Sequence, residues 1–245
     1  MIFLIRKYLK KGSTVIDCGS NIGFYPLLEA HILDGQGEIL CIEPDPRNYE
    51  LLKKNLSLIP SGVKITGYNI AISSQVGSMN LYVGCASNLN KIIHDASKVA
   101  KEHVIEVPVK TIDSLADELN IQPDFIRMDI EGHEVDVIIG MRKVIEQAKA
   151  GFTLFFELHP GEYSETNSLS EQLFKLREHG CRGEVMGSAG VPIPEIYKSL
   201  GYSPDMTIRS DGRTRGVYYG VSYDDAIVLA TAVPKASRYI LLIKG

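Results

Sequence analysis

The chain of 245 residues has no Cys-x-x-Cys pair; its four cysteines, Cys18, Cys41, Cys85 and Cys181, stand far apart. Neither a zinc site nor a redox pair is signalled. Cys18 and Cys41 fall in or at the end of apolar runs and read as small core residues. No apolar stretch is long enough to cross a bilayer: residues 1–5 are far too few, and no small-residue cleavage site follows them. A dominant charge is missing too, and a net charge of −4 offers no basic face to a nucleic acid. No internal repeat, low-complexity tract or linker breaks the chain. These absences leave one globular domain over residues 1–245, in a reducing cytoplasm, with no nucleic-acid partner and no stable membrane insertion. The basic residues Arg6, Lys7, Lys10 and Lys11 belong to an N-terminal extension, residues 1–12, read as a helix capping the sheet rather than one lying on a membrane.

What is present is concentrated in residues 14–25, TVIDCGSNIGFY. Val15 and Ile16 lead into Asp17; Gly19, Asn21 and Gly23 follow, and then a largely apolar run. The pattern predicts a buried strand, a glycine turn and a helix start, a place where open α/β sheets hold ligands. The spacing Asp-x-Gly-x-x-x-Gly is neither Gly-x-Gly-x-x-Gly nor a P-loop, since no Gly-Lys-Ser/Thr occurs. A second strand, GEILCIEP, ends on Glu43, an acid about 20 residues beyond the turn, where a ribose hydroxyl pair is usually held.

Further on, strands and helices alternate. Residues 63–72 read as strand three, and residues 103–111 as a strand that Pro108 pushes to an edge or bulge. Asp113 is a candidate N-cap, residues 125–129 a strand, and residues 135–147 one helix. Residues 152–157, FTLFFE, read as a strand buried on both faces. Residues 168–179 read as an amphipathic helix, 202–225 as a long loop or hairpin, and 226–232 and 239–243 as strands. The polar residues 84–102 form either a loop beside the site or a surface excursion. The fold class is α/β, a doubly wound sheet with right-handed crossovers.

Asp17-x-Gly19-x-Asn21-x-Gly23 followed by Glu43-Pro44 resembles motif I and the acidic second motif of class I methyltransferases that use S-adenosylmethionine. DFIRMDIEGHE, residues 124–134, resembles the Asp-x-Glu-Gly-x-Glu signature of the FkbM-type family. The resemblance covers roughly residues 14–160 and fades in residues 161–245, which would then set acceptor choice. It implies a mostly parallel seven-stranded sheet and transfer of a methyl group to a hydroxyl of a sugar, glycan or secondary-metabolite acceptor. For the cofactor it implies Asp17, Gly19, Asn21, Gly23, Phe24, Glu43, Asn69, Ala71 and Asp129.

For the chemistry, Asp129, Glu131, Glu157 and His159 all fall at strand ends that such a fold gathers on one rim. A histidine is suited to take the acceptor's proton near neutral pH. A hard divalent cation held by Asp129 and Glu157 is the alternative; the residue after Glu157 is neither Asn nor Asp, which counts against it. Glu134 reads as a helix cap. His31, His94, His103, His133 and His179 read as surface or helix-end residues. Arg209, Arg213 and Arg215, beside Tyr218 and Tyr219, read as a solvated loop or a contact for an anionic or sugar acceptor. Two rivals remain: a nicotinamide-dependent oxidoreductase, against which stands the lack of a third glycine and of Tyr-x-x-x-Lys, and a non-catalytic nucleotide-binding domain. Assembly into a homo-oligomer is left open.

Overall fold

The structure, a computed structural model, describes residues 2–59, 62–84, 90–93, 103–190, 195–210, 212–231 and 236–245. Cys85 and His94, with most of residues 84–102, lie outside that set. The chain divides into two compact units, Met1–Ala148 and Lys149–Gly245.

The first unit runs α1 (Ile2–Tyr8), β1 (Thr14–Cys18), α2 (Phe24–Leu33), β2 (Glu38–Ile42), α3 (Pro46–Leu56), β3 (Lys64–Tyr68), β4 (Ala71–Ile72), β5 (Gly77–Tyr82), β6 (Lys91–Ile93), β7 (Val104–Lys110), α4 (Ile112–Leu119), β8 (Phe125–Met128), α5 (Glu134–Ile139) and α6 (Arg142–Gln147). One sheet has the order β8-β1-β2-β3, and every pairing in it is parallel. Val15, Ile16, Ile39, Leu40, Phe125 and Ile126 are buried, as parallel strands covered on both faces require. In α1, Leu4 and Ile5 are buried while Arg6 and Lys7 are exposed, so the apolar face packs and the basic face meets water.

Residues 63–72 are not one strand. β3 closes the parallel sheet, and β4 belongs to a second sheet with the order β4-β7-β5-β6. The break is pinned by Asn69, whose Nδ2 donates to the carbonyls of Glu43 and Pro44 at 2.9 and 3.0 Å. The second sheet has its own core of Ala71, Leu81, Val83, Val107 and Val109. Pro108 lies in β7, an inner strand of this sheet rather than an edge. It is tolerated because β4 begins only past it, opposite Val109.

Residues 135–147 split into α5 and α6 at Gly140. A Cβ there would stand 2.2 Å from the Ser73 carbonyl oxygen, and the Gly140 carbonyl accepts from Asp113 N at 3.0 Å. Asp113 is not the cap of α4: Thr111 is, in a reciprocal capping box with Ser114. Asp113 instead caps α6, accepting from Lys143 N and Val144 N at 3.1 and 2.9 Å.

The second unit runs β9 (Thr153–Glu157), α7 (Leu169–Glu178), β10 (Cys181–Ser188), α8 (Glu195–Ser199), β11 (Met206–Ser210), β12 (Arg213–Tyr219), α9 (Tyr223–Thr231) and β13 (Ser237–Lys244). The pairings β11-β12-β10-β13-β9 are all antiparallel. Where a mostly parallel seven-stranded sheet was expected, the described residues give four parallel strands in one sheet of the first unit and five antiparallel ones in the second. β9 is buried along its whole length.

Residues 223–231 are helical, where the apolar run 226–232 had suggested a strand. Ser222 Oγ accepts from Asp225 N at 3.2 Å, and Asp224 and Asp225 stand in the first turn. A short apolar run does not distinguish the two states. Residues 202–225 hold the β11–β12 hairpin and the start of α9. Arg215 is buried and donates to the Ala189 carbonyl, and Tyr218 stacks on Tyr197 at 4.0 Å. Both are buried, so neither belongs to a solvated loop.

Gly140→Ala is expected to destabilise the protein by about 1–3 kcal/mol, the cost of forcing atoms into filled space. Gly77→Ala, with nothing within 4 Å of the added Cβ, is expected to stay within about 0.5 kcal/mol of the parent. Urea unfolding of the two variants checks the contrast.

Candidate functional site

β1 runs out at Cys18 into a turn of backbone that few residue types can follow. Gly19 has φ +80°, Asn21 +49° and Gly23 +98°. Asparagine is among the few side chains that visit this region readily. At Gly19 space is decisive as well, because a Cβ would lie 2.1 Å from the Asp129 carbonyl oxygen. The turn is fixed from β2: Gly19 N and Ser20 N both donate to the Ile42 carbonyl, at 3.0 and 2.9 Å.

Beyond β2, Glu43 is locked by its neighbours. Its Oε2 accepts from Asn21 N at 2.8 Å, and its Oε1 from Asp45 N at 3.0 Å and Asn48 Nδ2 at 3.4 Å. Asp45 in turn caps α3 through Arg47 N. Burial pushes the Glu43 carboxyl up to about 7, against the pull of the Asp45 and Asn21 backbone donors.

Gly19, Asn21, Phe24, Glu43, Ala71, Asp129 and Glu131 all line one cavity of about 260 Å³. That lies just under the range of roughly 300–1,000 Å³ usual for small-molecule sites, so it suits one ligand. Glu131 reaches this wall with φ +55°, followed by Gly132 at +105°. A left-handed glutamate costs about 1–2 kcal/mol, and such strain tends to gather at functional sites. Glu134 is not the cap of its helix: it is the first residue of α5 after the cap residue His133, and its Oε1 accepts from Gly132 N at 3.2 Å, ahead of the helix.

Three residues expected at the cofactor, Gly23, Asn69 and Asp17, are not among those that line this cavity. Gly23 packs α2 against α3, where an added Cβ would stand 3.0 Å from Leu52 Cδ1. Asn69 is spent on the strand break. Asp17 is fully buried; its Oδ1 accepts from Arg127 Nη1 at 2.7 Å and its Oδ2 from Ser20 Oγ at 2.9 Å. Glu157 and His159 belong to the second unit. There Glu157 is buried, ion-paired with Arg238, and 3.6 Å from His159 Nε2. The backbone N of His159 donates to Tyr163 Oη at 3.0 Å.

Sequence reasoning passed over Arg127 and His133, which also line the cavity. Arg127 joins Asp17 to Asp129, with Nη2 donating to Asp129 Oδ2 at 3.0 Å, and its guanidinium lies 3.6 Å over the Tyr25 ring. Burial alone would weaken its hold on the proton, but Asp17 and Asp129 raise it above the ordinary arginine value. A lone arginine inside the strand FIRM was the available signal, since a buried charge needs a partner. His133 is buried and not a surface residue; its Nε2 lies 2.9 Å from Ser73 Oγ. Beneath the turn, Glu29 on α2 is fully buried with neither carboxyl oxygen bonded. Burial, and then the Asp17 charge, push its carboxyl well above the ordinary glutamate value, and the Arg127 charge opposes them.

A family model for the methyltransferase FkbM domain matches residues 17–182. A curated relative, the hexuronic acid methyltransferase AglP of Haloferax volcanii, is 25% identical over 164 residues. That match covers 66% of this chain and 62% of the relative, so the chain spans less than two thirds of the relative's length. Among solved structures, a SAM-dependent O-methyltransferase of Thermotoga maritima is 16% identical, with 99% of this chain and 64% of that one covered at a TM-score of 0.44. The precorrin-6y C5,15-methyltransferase of Geobacter metallireducens is 10% identical, with 100% and 87% covered at 0.47.

Because the Glu43 carboxyl titrates higher in the folded protein than in the unfolded chain, its share of stability is full below about pH 4.5 and is lost as pH rises through 7. Relative to Glu43→Gln, the parent protein is therefore expected to lose about 1–3 kcal/mol between about pH 5 and pH 8. Urea unfolding of both proteins at the two pH values measures the difference, and parallel pH profiles would contradict it.

Proposed function

Since the chain belongs to the methyltransferase FkbM domain family, we propose that it transfers the methyl group of S-adenosylmethionine to a hydroxyl of a sugar, glycan or secondary-metabolite acceptor. The observation that carries the reading is the convergence of the Gly19 turn, Glu43 and Asp129 on one cavity sized for one ligand. The donor set suits the cofactor. Glu43 offers carboxylate oxygens for a ribose hydroxyl pair, as the strand-end acid of such folds does. Gly19 leaves its face of the cavity bare of side chain, and Ala71 and Ile72 give an apolar wall for a base. When bound, S-adenosylmethionine supplies a methyl carbon open to in-line attack by an oxygen.

The chain's own share is to bind, orient and take a proton. In this reading Glu43, Gly19, Asn21, Phe24, Ala71 and Asp129 hold the cofactor. His159, with Glu157 beside it, takes the acceptor's proton, and Glu131 adds negative charge at the cavity. Residues 161–245 set acceptor choice. The parallel strands β8-β1-β2-β3 then correspond to the nucleotide-binding half of a class I methyltransferase. A carbohydrate hydroxyl is favoured because the matched relative is named for methylating a hexuronic acid.

S-adenosylhomocysteine is expected to bind in calorimetry, and Glu43→Ala to weaken it by about 1–3 kcal/mol, the worth of hydrogen bonds to a charged group. Tight binding of NAD with no response to S-adenosylhomocysteine would point to an oxidoreductase instead.

With a hexuronic-acid glycoside as acceptor, His159→Ala is expected to lower kcat about 10²–10⁴-fold, the usual worth of a positioned base, with cofactor affinity little changed. An unaltered kcat, or loss of cofactor in its place, would remove His159 from this role.

A further inference from the structure

Arg127 faces Asp17 directly across the β1–β8 pairing, and its guanidinium is shared by two carboxylates. Nη1 donates to Asp17 Oδ1 at 2.7 Å and Nη2 to Asp129 Oδ2 at 3.0 Å. The side chains of Arg127 and Asp17 are 2% and 0% exposed, but that of Asp129 is 26% exposed. With all three ionised, one positive charge meets two negative ones, and the group carries a net negative charge. Of the two carboxylates, Asp129 is the one that lines the cavity, beside Arg127. Asp129 Oδ2 is already engaged, which leaves Oδ1.

The link runs further. Asp17 Oδ2 accepts from Ser20 Oγ at 2.9 Å, so the glycine turn, Asp17, Arg127 and Asp129 form one hydrogen-bonded line. The planar fork of arginine can reach two carboxylates at fixed angles, whereas a lysine is a point charge. Tyr25, with its ring 3.6 Å under the guanidinium, holds that plane.

We propose that Arg127 is a positioning residue: it fixes Asp129 as an oriented anion for the cationic amino-acid end of the cofactor, and Asp129 is not the base of the reaction. The inference rests on the cofactor reading above. A buried pair on its own explains Asp17, but not why the same guanidinium also holds a partly exposed acid at the cavity.

The test uses the paired substitution D17N/R127M, which removes the buried charges together and so avoids stranding either one. This variant is expected to unfold near the parent's midpoint and to bind S-adenosylhomocysteine about ten- to a hundredfold more weakly. D129N is expected to lose a similar factor, and adding D129N to the paired variant to cost little more. Parent-like affinity in the paired variant, or a D129N loss of full size in both backgrounds, overturns the proposal. If the paired variant does not fold, R127K takes its place, with the same loss expected and parent-like affinity again overturning the idea.

A second readout needs no cofactor. Nitrogen-15 NMR of the Arg127 guanidinium is expected to show an Nη2 signal that shifts in D129N while the Nη1 signal, still held by Asp17, stays in place; an unchanged Nη2 signal would show that Asp129 is not held. If the parent protein binds no S-adenosylhomocysteine, the functional reading falls while this measurement still decides whether Arg127 fixes Asp129.

Discussion

The close approach of the first turn to β8 constrains the whole site. Gly19 lies so near the Asp129 carbonyl that no side chain fits between them. That contact lets β1 and β8 stay paired up to Cys18 and Met128 and brings both strand ends to one cavity. A Cβ at Gly19 would have to displace backbone on the neighbouring strand, not a flexible side chain. The anchoring of the turn to Ile42 and of Asn21 to Glu43 then brings β2 to the same place. Three strand ends meet because one residue has no side chain.

Burial sets the electrostatics around this point. Asp17, Arg127 and Glu29 are removed from water within one small region, and each meets the cost differently. Asp17 and Arg127 neutralise each other across the strands. Glu29 has no hydrogen-bond partner among the described residues, and burial raises its carboxyl well above the ordinary glutamate value. Glu43 lies between these cases: backbone donors favour its ionised form and burial opposes it. Its charge is therefore held in balance by the walls of the cavity it serves.

The parts legible in the sequence were those whose chemistry is local. Gly19, Asn21 and Glu43 are specified by neighbours in the chain, and the structure places all three in one wall. The role of Asp17 was not legible, because its partner stands 110 positions away. His133 was missed for the same reason: Ser73, which meets it, lies 60 positions earlier. The break between β3 and β4 depends on the reach of Asn69 to Glu43 and Pro44, which alternation along a strand cannot reveal. In the second unit the run after Tyr223 was short and apolar enough to fit either state, and its serine-capped start decided for a helix.

The buried thiols carry a consequence for chemical labelling. Cys18 and Cys41 lie on the two strands that frame the glycine turn, both enclosed and free, and their thiols are pushed up first by burial and then by the Asp17 charge. Cys181, in the second unit, is raised by burial to about 11. Only a thiolate reacts at a useful rate, so alkylating reagents at neutral pH find these three closed while the strands hold. Each unit thus contains its own clock: the rate at which Cys18 and Cys41 become modified reports opening of the first, and that of Cys181 opening of the second, without any probe being added to the protein.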